Sequence, residues 1–337
     1  MSWDLGIHAP VGLLPVLFFL AGLLYFDSYK LVSIRRVLLA IGLGGVLVVP
    51  GYFINGAFLD ILDVEYVAYA RYGSPLIEEL LKGVVIIVLM RQNRIGFLVD
   101  AAIFGFAVGA GFAVVENLYY LQSLDHARMG TWIIRGFGTA IMHGGATAIF
   151  AISGHALMEQ RNRMGHIVLL PGLLVASAVH SIFNHFFFSP ILTTMVVLAL
   201  LPLLVVVVFQ QSEKSVARWL NVGFDADTEL LHLINSGGFS TSKVGLYLHS
   251  LREKFRGEVV ADLLCYLQLH VELALRAKGL LMMRESGFEN VIGEETRAKL
   301  EELKFLEKSI GPTGKLAIKP FLQMSRQDLW QFYMLSK

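Results

Sequence analysis

SPLIEELLKGVVIIVLMR, residues 74–91, decides the fold. Its second half is an unbroken apolar run, yet Glu78, Glu79 and Lys82 sit at its head. A charge at the centre of a bilayer costs roughly 2.5–3.5 kcal/mol even on permissive insertion scales. A membrane-spanning helix that carries three such groups therefore turns them toward protein or water. The same oddity recurs downstream. GFAVGAGFAVVENLYY (105–120) contains Glu116, HGGATAIFAISG (143–154) opens on His143, and HSIFNHF (180–186) carries His180 and Asn184. Each lies in a segment otherwise apolar enough to cross a membrane.

Working outward, 55% of the 337 residues are hydrophobic, and mean hydropathy is +0.62. That excludes an ordinary soluble domain. Apolar runs of ~20 residues, the length that crosses ~30 Å of hydrocarbon, fall at about 10–27, 36–58, 74–91, 97–122, 132–158, 166–188 and 190–210. Segment 59–72 is amphipathic and reads as interfacial. The charge distribution then changes. Residues 1–211 hold 11 Lys/Arg and 11 Asp/Glu, whereas 212–337 hold 17 and 16. The expectation is an all-α polytopic bundle of about seven transmembrane helices over 1–211, followed by a soluble helical domain over 212–337. In that tail SVARWLNVG, TSKVGLYLHSLREKF, VVADLLCYLQLHVELALRAKGLLMM and ETRAKLEELKFLEKSI read as amphipathic helices, with breaks at Gly237-Gly238, Gly257 and Gly311-Pro312.

Basic residues set the orientation. Lys30, Arg35 and Arg36, then Arg91 and Arg94, then Arg161 and Arg163, then Lys214 and Arg218 follow alternate spans. The other loops hold Arg71, Arg128 and Arg135. This pattern predicts a multi-pass membrane protein with its N-terminus outside and its C-terminal domain cytosolic. No cleavable signal peptide is evident. Cys265, the single cysteine, makes no internal disulfide. Net charge is +1, and no basic stripe points to nucleic acid.

On that topology Glu79, Glu116, His143 and His180 fall roughly 8–16 Å below the outer face, counted at the helical rise. Four helices thus contribute to one polar layer. Helical spacing gives each a partner: Glu78 and Glu79 with Lys82, Glu116 with Phe112 and Tyr120, His143 with Thr147, His180 with Asn184. Glycines 105, 109, 111, 144 and 145 allow close helix approach. Asp100 reads as an N-cap, His155 and Glu159 as interfacial, and His185 as structural. HExxH, CxxC, P-loop, GxGxxG and GxSxG patterns are absent. No serine or cysteine is expected in the layer, so the chemistry points to water activated by carboxylate and imidazole. Glu116, His143 and His180 are a plausible Zn2+ set. Spacing leaves metal and glutamate-only catalysis both open.

These residues resemble the PrsW family of intramembrane proteases, related to the prenyl-protein (CAAX) and bacteriocin-immunity proteases. The shared motifs are EE-x-x-(x)-K/R, here Glu78-Glu79 with Lys82; F-x-x-x-E/H, here Phe112 with Glu116; and H-x-x-x-N/B, here His180 with Asn184. The likeness covers roughly 74–187. It implies a membrane peptidase cutting a membrane-anchored protein, such as an anti-sigma factor. Glu78 or Glu79 would be the base, Glu116 and His143 would hold water or metal, and His180 with Asn184 would stabilise the intermediate. Lys82 and Tyr120 would be supports. Glu116 stands where the prenyl-protease branch has histidine, which favours the PrsW branch. Two rivals remain: a transporter or channel using the layer as a proton or cation path, and a CAAX-type endopeptidase, whose layer would lie nearer the cytosol.

Overall fold

A computed structural model describes residues 3–124, 127–161, 166–288, 292–322 and 325–336. It is helical, with no strand among the described residues. The chain divides into two compact units, Met1–Ser212 and Glu213–Lys337.

The first unit holds α1 (Trp3–Phe26), α2 (Ile34–Val46), α3 (Val48–Leu62), α4 (Tyr66–Arg91), α5 (Leu98–Ser123), the short α6 (Met129–Ile133), α7 (Ala140–Arg161), α8 (His166–His185) and the first part of α9 (Pro190–Asn235). Ile134–Thr139 between α6 and α7 is a π-helical turn. Five described stretches are long and apolar enough to cross a membrane: Gly6–Phe26, Ile34–Leu62, Leu98–Ser123, Met129–Gln160 and Pro190–Asn235. The other two expected spans correspond to α4, whose charges set it apart, and α8, whose described apolar part is Leu169–His185.

The helices depart from expectation at identifiable breakers. The expected span 36–58 is interrupted at Leu47, three residues before Pro50, which has no N–H to give to the carbonyl four residues back. The interfacial segment 59–72 is not one helix. Its first residues end α3, the chain turns at Asp63 (φ 46°), and the rest begins α4. Asp100 caps α5 from inside its first turn rather than at the N-cap, accepting from the Gly96 and Phe97 N–H groups at 2.9 and 3.2 Å. His155, expected at the interface, is 1% exposed, with Glu159 at 3.9 Å.

Helix α5 is the axis of the unit, buried along most of its length. Two glycines explain how it is gripped. A Cβ on Gly109 would stand 2.2 Å from the His143 carbonyl oxygen of α7, and one on Gly111 would stand 2.0 Å from that of Ile41 in α2. Backbones so close exclude any side chain, the small-residue logic of membrane helix packing. This contact brings Glu116 and His143 to facing positions. The π-turn packs as tightly on α1, because a Cβ on Gly136 would meet the Val11 carbonyl oxygen.

The second unit holds the rest of α9 with α10 (Lys243–Ser250), α11 (Gly257–Glu285), α12 (Glu294–Ile318) and α13 (Arg326–Leu335). Leu263, Leu267, Leu281, Ile318 and Trp330 are in its core. SVARWLNVG is not a separate helix but part of α9. The break expected at Gly311-Pro312 is a kink inside α12, where Gly311 takes φ 64°, ψ −178°, a conformation open essentially to glycine alone. Helix α13 lies beyond the amphipathic stretches read from the sequence.

Candidate active site

Glu78, Glu116, His143, His180 and Asn184 line one cavity of about 360 Å³ between α4, α5, α7, α8 and the π-turn. Tyr120, Ser74 and Arg135 line it too. The four-helix polar layer thus comes together around a common space.

Lys82, Glu79 and Thr147 form the closed side. Lys82 and Glu79, one turn apart on α4, are both buried, with Nζ 2.5 Å from Glu79 Oε1. The same oxygen lies 2.9 Å from His180 Nδ1. Thr147 donates to Glu79 Oε2 at 3.2 Å. Glu79 is therefore fully engaged and absent from the cavity wall, whereas its neighbour Glu78 points in. Adjacent residues on a helix diverge by about 100°, so the two carboxylates hold different positions. The sequence had left the base open between them. The geometry separates one carboxylate that holds a histidine from one that faces the cavity.

Two hydrogen bonds set the tautomers. A carboxylate only accepts, so His180 Nδ1 donates to Glu79 and Nε2 keeps its lone pair. That Nε2 is 3.9 Å from Glu78 Oε2. On His143 the pattern is reversed. An ammonium only donates, so Lys82 Nζ, at 3.1 Å, donates to Nδ1. His143 Nε2 then carries the proton and lies 3.2 Å from Glu116 Oε2. The two rings meet edge to face with centroids 4.6 Å apart.

Arg135, counted as a loop charge from the sequence, lies at the mouth. Its Nη2 is 3.3 Å from Glu116 Oε2, its Nε donates to Asn117 Oδ1 at 2.8 Å, and its guanidinium lies 3.7 Å from the Tyr120 ring centroid. Asn117 in turn donates to the Gly12 carbonyl of α1 at 2.7 Å. Tyr120 thus supports the arginine. Ser74 also lines the cavity, against the expectation of no serine in the layer, and donates to Glu78 Oε1 at 2.5 Å. Its signal was readable: it stands four residues before Glu78. Asn184, four after His180 and beside it at the wall, donates to the Ala70 carbonyl at 3.0 Å. His185 bonds the Ser181 carbonyl at 2.7 Å and stays off the cavity, as a structural residue should.

Among the described residues, Glu78, His143 and His180 offer ligand atoms within 4.8 Å of one another. Glu78 rather than Glu116 closes that triangle. Glu116 stands beside it on His143. Two imidazoles and a carboxylate suit zinc, and Glu79 behind His180 is the carboxylate–histidine backing such ligands use. The residues fit a divalent cation.

Fold and site define a polytopic membrane enzyme with a buried carboxylate–imidazole centre. The model of the PrsW family intramembrane metalloproteases matches residues 33–209. The chain belongs to that family and is accordingly a multi-pass membrane protein of the intramembrane protease class. No curated protein and no solved structure gives a significant match.

Proposed function

We propose that this chain hydrolyses a peptide bond of a membrane-anchored protein by attack of a water molecule held in the cavity, with Glu116 as general base. One observation carries the reading: ionisable groups of four helices converge on a cavity of about 360 Å³, and only some of their atoms are satisfied by protein. Glu116 is the acidic group best placed to exchange protons with water, since its side chain is 22% exposed and its Oε2 lies 3.2 Å from His143 Nε2 without a hydrogen-bond partner. It takes the proton of the attacking water and returns it to the leaving amine. Arg135 holds Glu116 at the mouth, and Glu79 fixes the His180 ring. Asn184 retains an amide hydrogen beyond its bond to Ala70 for the developing oxyanion.

Glu78, His143 and His180 would hold a divalent cation, zinc by donor chemistry, which when bound supplies Lewis acidity to the scissile carbonyl and the water. A cation at His143 Nε2 would compete with protons for that nitrogen, so metal occupancy should fall on acidification. Calorimetric zinc titration over a series of pH values measures this. Zinc affinity that does not weaken as pH is lowered would refute the ligand set.

Fold orientation enters as part of the proposal. With the N-terminus outside, the cavity lies in the outer half of the bilayer, and cleavage falls near the outer face of a substrate such as an anti-sigma factor. Labelling of single cysteines from either side checks this.

The test of function is cleavage by the purified full-length chain, in liposomes, of a panel of single-span membrane proteins. Glu78→Ala, Glu116→Ala, His143→Ala and His180→Ala should each abolish product. Full activity in all four would remove the proposal. Ser74, which holds Glu78, supplies a second discriminator. Ser74→Ala should retain cleavage, whereas a serine nucleophile would lose it entirely and react with a fluorophosphonate.

A further inference from the structure

A second cavity of about 340 Å³ runs along α7, α8 and α9 beside the active site. Ala146 and Ile149 of α7, Ile182 of α8, and Val197 and Leu204 of α9 are on its walls. Phe183 belongs to both cavities. On α9 the polar cavity ends at Pro190, and the apolar one begins at Thr193 and continues to Leu204, about 16 Å at the helical rise. On α7 the walls also interleave, His143 facing one cavity and Gly145 the other. The groove is therefore a three-turn apolar track that terminates at the site.

Thr193 marks the end nearest the site. It is the one residue in the groove wall with a polar side chain, and its Oγ1 is buried with no hydrogen-bond partner. The neighbouring Thr194 does what a threonine in a helix usually does, donating to the carbonyl four residues back, Pro190 O, at 2.9 Å. A buried hydroxyl left unpaired costs about 1–3 kcal/mol. An acyl chain filling the track would leave that cost in place. A transmembrane helix would not. Where it unwinds to enter the cavity, its backbone N–H and C=O groups lose their intrahelical partners, and one of them can meet Thr193.

We infer that the α7–α8–α9 groove receives the membrane-spanning segment of the substrate, with the Thr193 hydroxyl bonding its backbone where the helix opens toward the active site. This rests on the peptidase reading and supplies the substrate's lateral path. Phe183 is the wall over which the chain passes from one cavity to the other.

Binding can be tested without turnover. The full-length protein carries Cys265→Ser, Glu116→Gln to suppress cleavage, and one new cysteine: Val197→Cys in the groove, or Leu203→Cys, which is 64% exposed and not in the groove wall. The probe is a synthetic single-span Leu/Ala peptide with one mid-span cysteine, in phosphatidylcholine vesicles under copper-phenanthroline oxidation. Disulfide capture should be several-fold greater at Val197→Cys than at Leu203→Cys. Ala146→Leu, which fills the track, should abolish that preference. Thr193→Val should weaken capture about fivefold, the worth of one hydrogen bond. Equal capture at the two positions, or indifference to Ala146→Leu and Thr193→Val, would mean acyl chains occupy the groove and would overturn the inference. Failure of the peptidase reading would appear elsewhere, as absence of cleavage by the wild-type chain.

Discussion

Lys82 and Lys278 look alike in isolation. Each is a lysine with almost no exposure, 2.5 Å from a carboxylate, in the company of a buried histidine. Their settings differ. In the C-terminal unit Lys278 pairs with Asp227 and lies over the Trp219 ring, while Trp219 donates to Asp328, itself bound by Ser325. The cavity there is about 10 Å³, room for roughly one water. In the membrane unit Lys82 and Glu79 back two imidazoles whose Nε2 atoms reach an open cavity. A buried charged cluster is thus not by itself a site. It becomes one when its closed side orients groups and its open side leaves valences for a ligand.

The largest effects should separate the two clusters by kind. Glu116→Gln should cost about 10²–10⁴-fold in cleavage rate, while Glu79→Gln, behind the histidine, should cost only about 10–100-fold. Rates of the two variants on one substrate give the ranking, and the reverse order would return the base to Glu79. Lys278→Met should leave cleavage chemistry untouched and destabilise the C-terminal unit by about 3–5 kcal/mol, because it strands Asp227. The double change Lys278→Met with Asp227→Leu should recover most of that loss. Denaturation followed by hydrogen exchange of the α11 amides measures both. A parallel replacement of Lys82 and Glu79 by apolar residues should not recover activity.

A pH experiment sharpens the contrast. Burial holds the His270 imidazole down at about 4, with Lys278 and Lys315 acting in the same direction and Asp328 against it. The unfolded chain protonates near 6.5 and the folded one near 4, so the unfolded state binds more protons between them. Stability of the C-terminal unit should be whole above about pH 6.5 and decline by about 3 kcal/mol as pH falls toward 4. His270→Phe should flatten that slope in a denaturant-midpoint series.

Smaller effects probe the Arg135 side of the candidate site. Arg135→Ala should lower the cleavage rate about 10–100-fold, through loss of the ion pair with Glu116 and of the charged hydrogen bond to Asn117 that fixes the arginine, with Arg135→Lys intermediate. Ser74→Ala should cost no more than about tenfold, one neutral hydrogen bond. Both are read from initial rates on the same substrate.

Much of this was legible in advance because membrane burial penalises charge so heavily. Glu78, Glu79, Glu116, His143 and His180 stood out against their apolar surroundings, and helical spacing paired Lys82 with the glutamates. Ser74 obeyed the same four-residue rule and was passed over because serine carries no such penalty. Arg135 was hidden by its position at a span end, where charge is ordinary. Only the structure turned it inward, on a π-turn wedged against α1.

Hydropathy and loop charge, both local properties of the chain, were enough to determine an all-α membrane bundle and to name the polar residues of its centre. Which glutamate faces the cavity, which nitrogen of each histidine is held from behind, and that Glu78 rather than Glu116 completes the triangle with the two imidazoles were decided by tertiary structure. Those choices depend on helix rotation and separation, set where glycine backbones of α5 touch α2 and α7, and no periodicity within one helix records the angle at which it meets another.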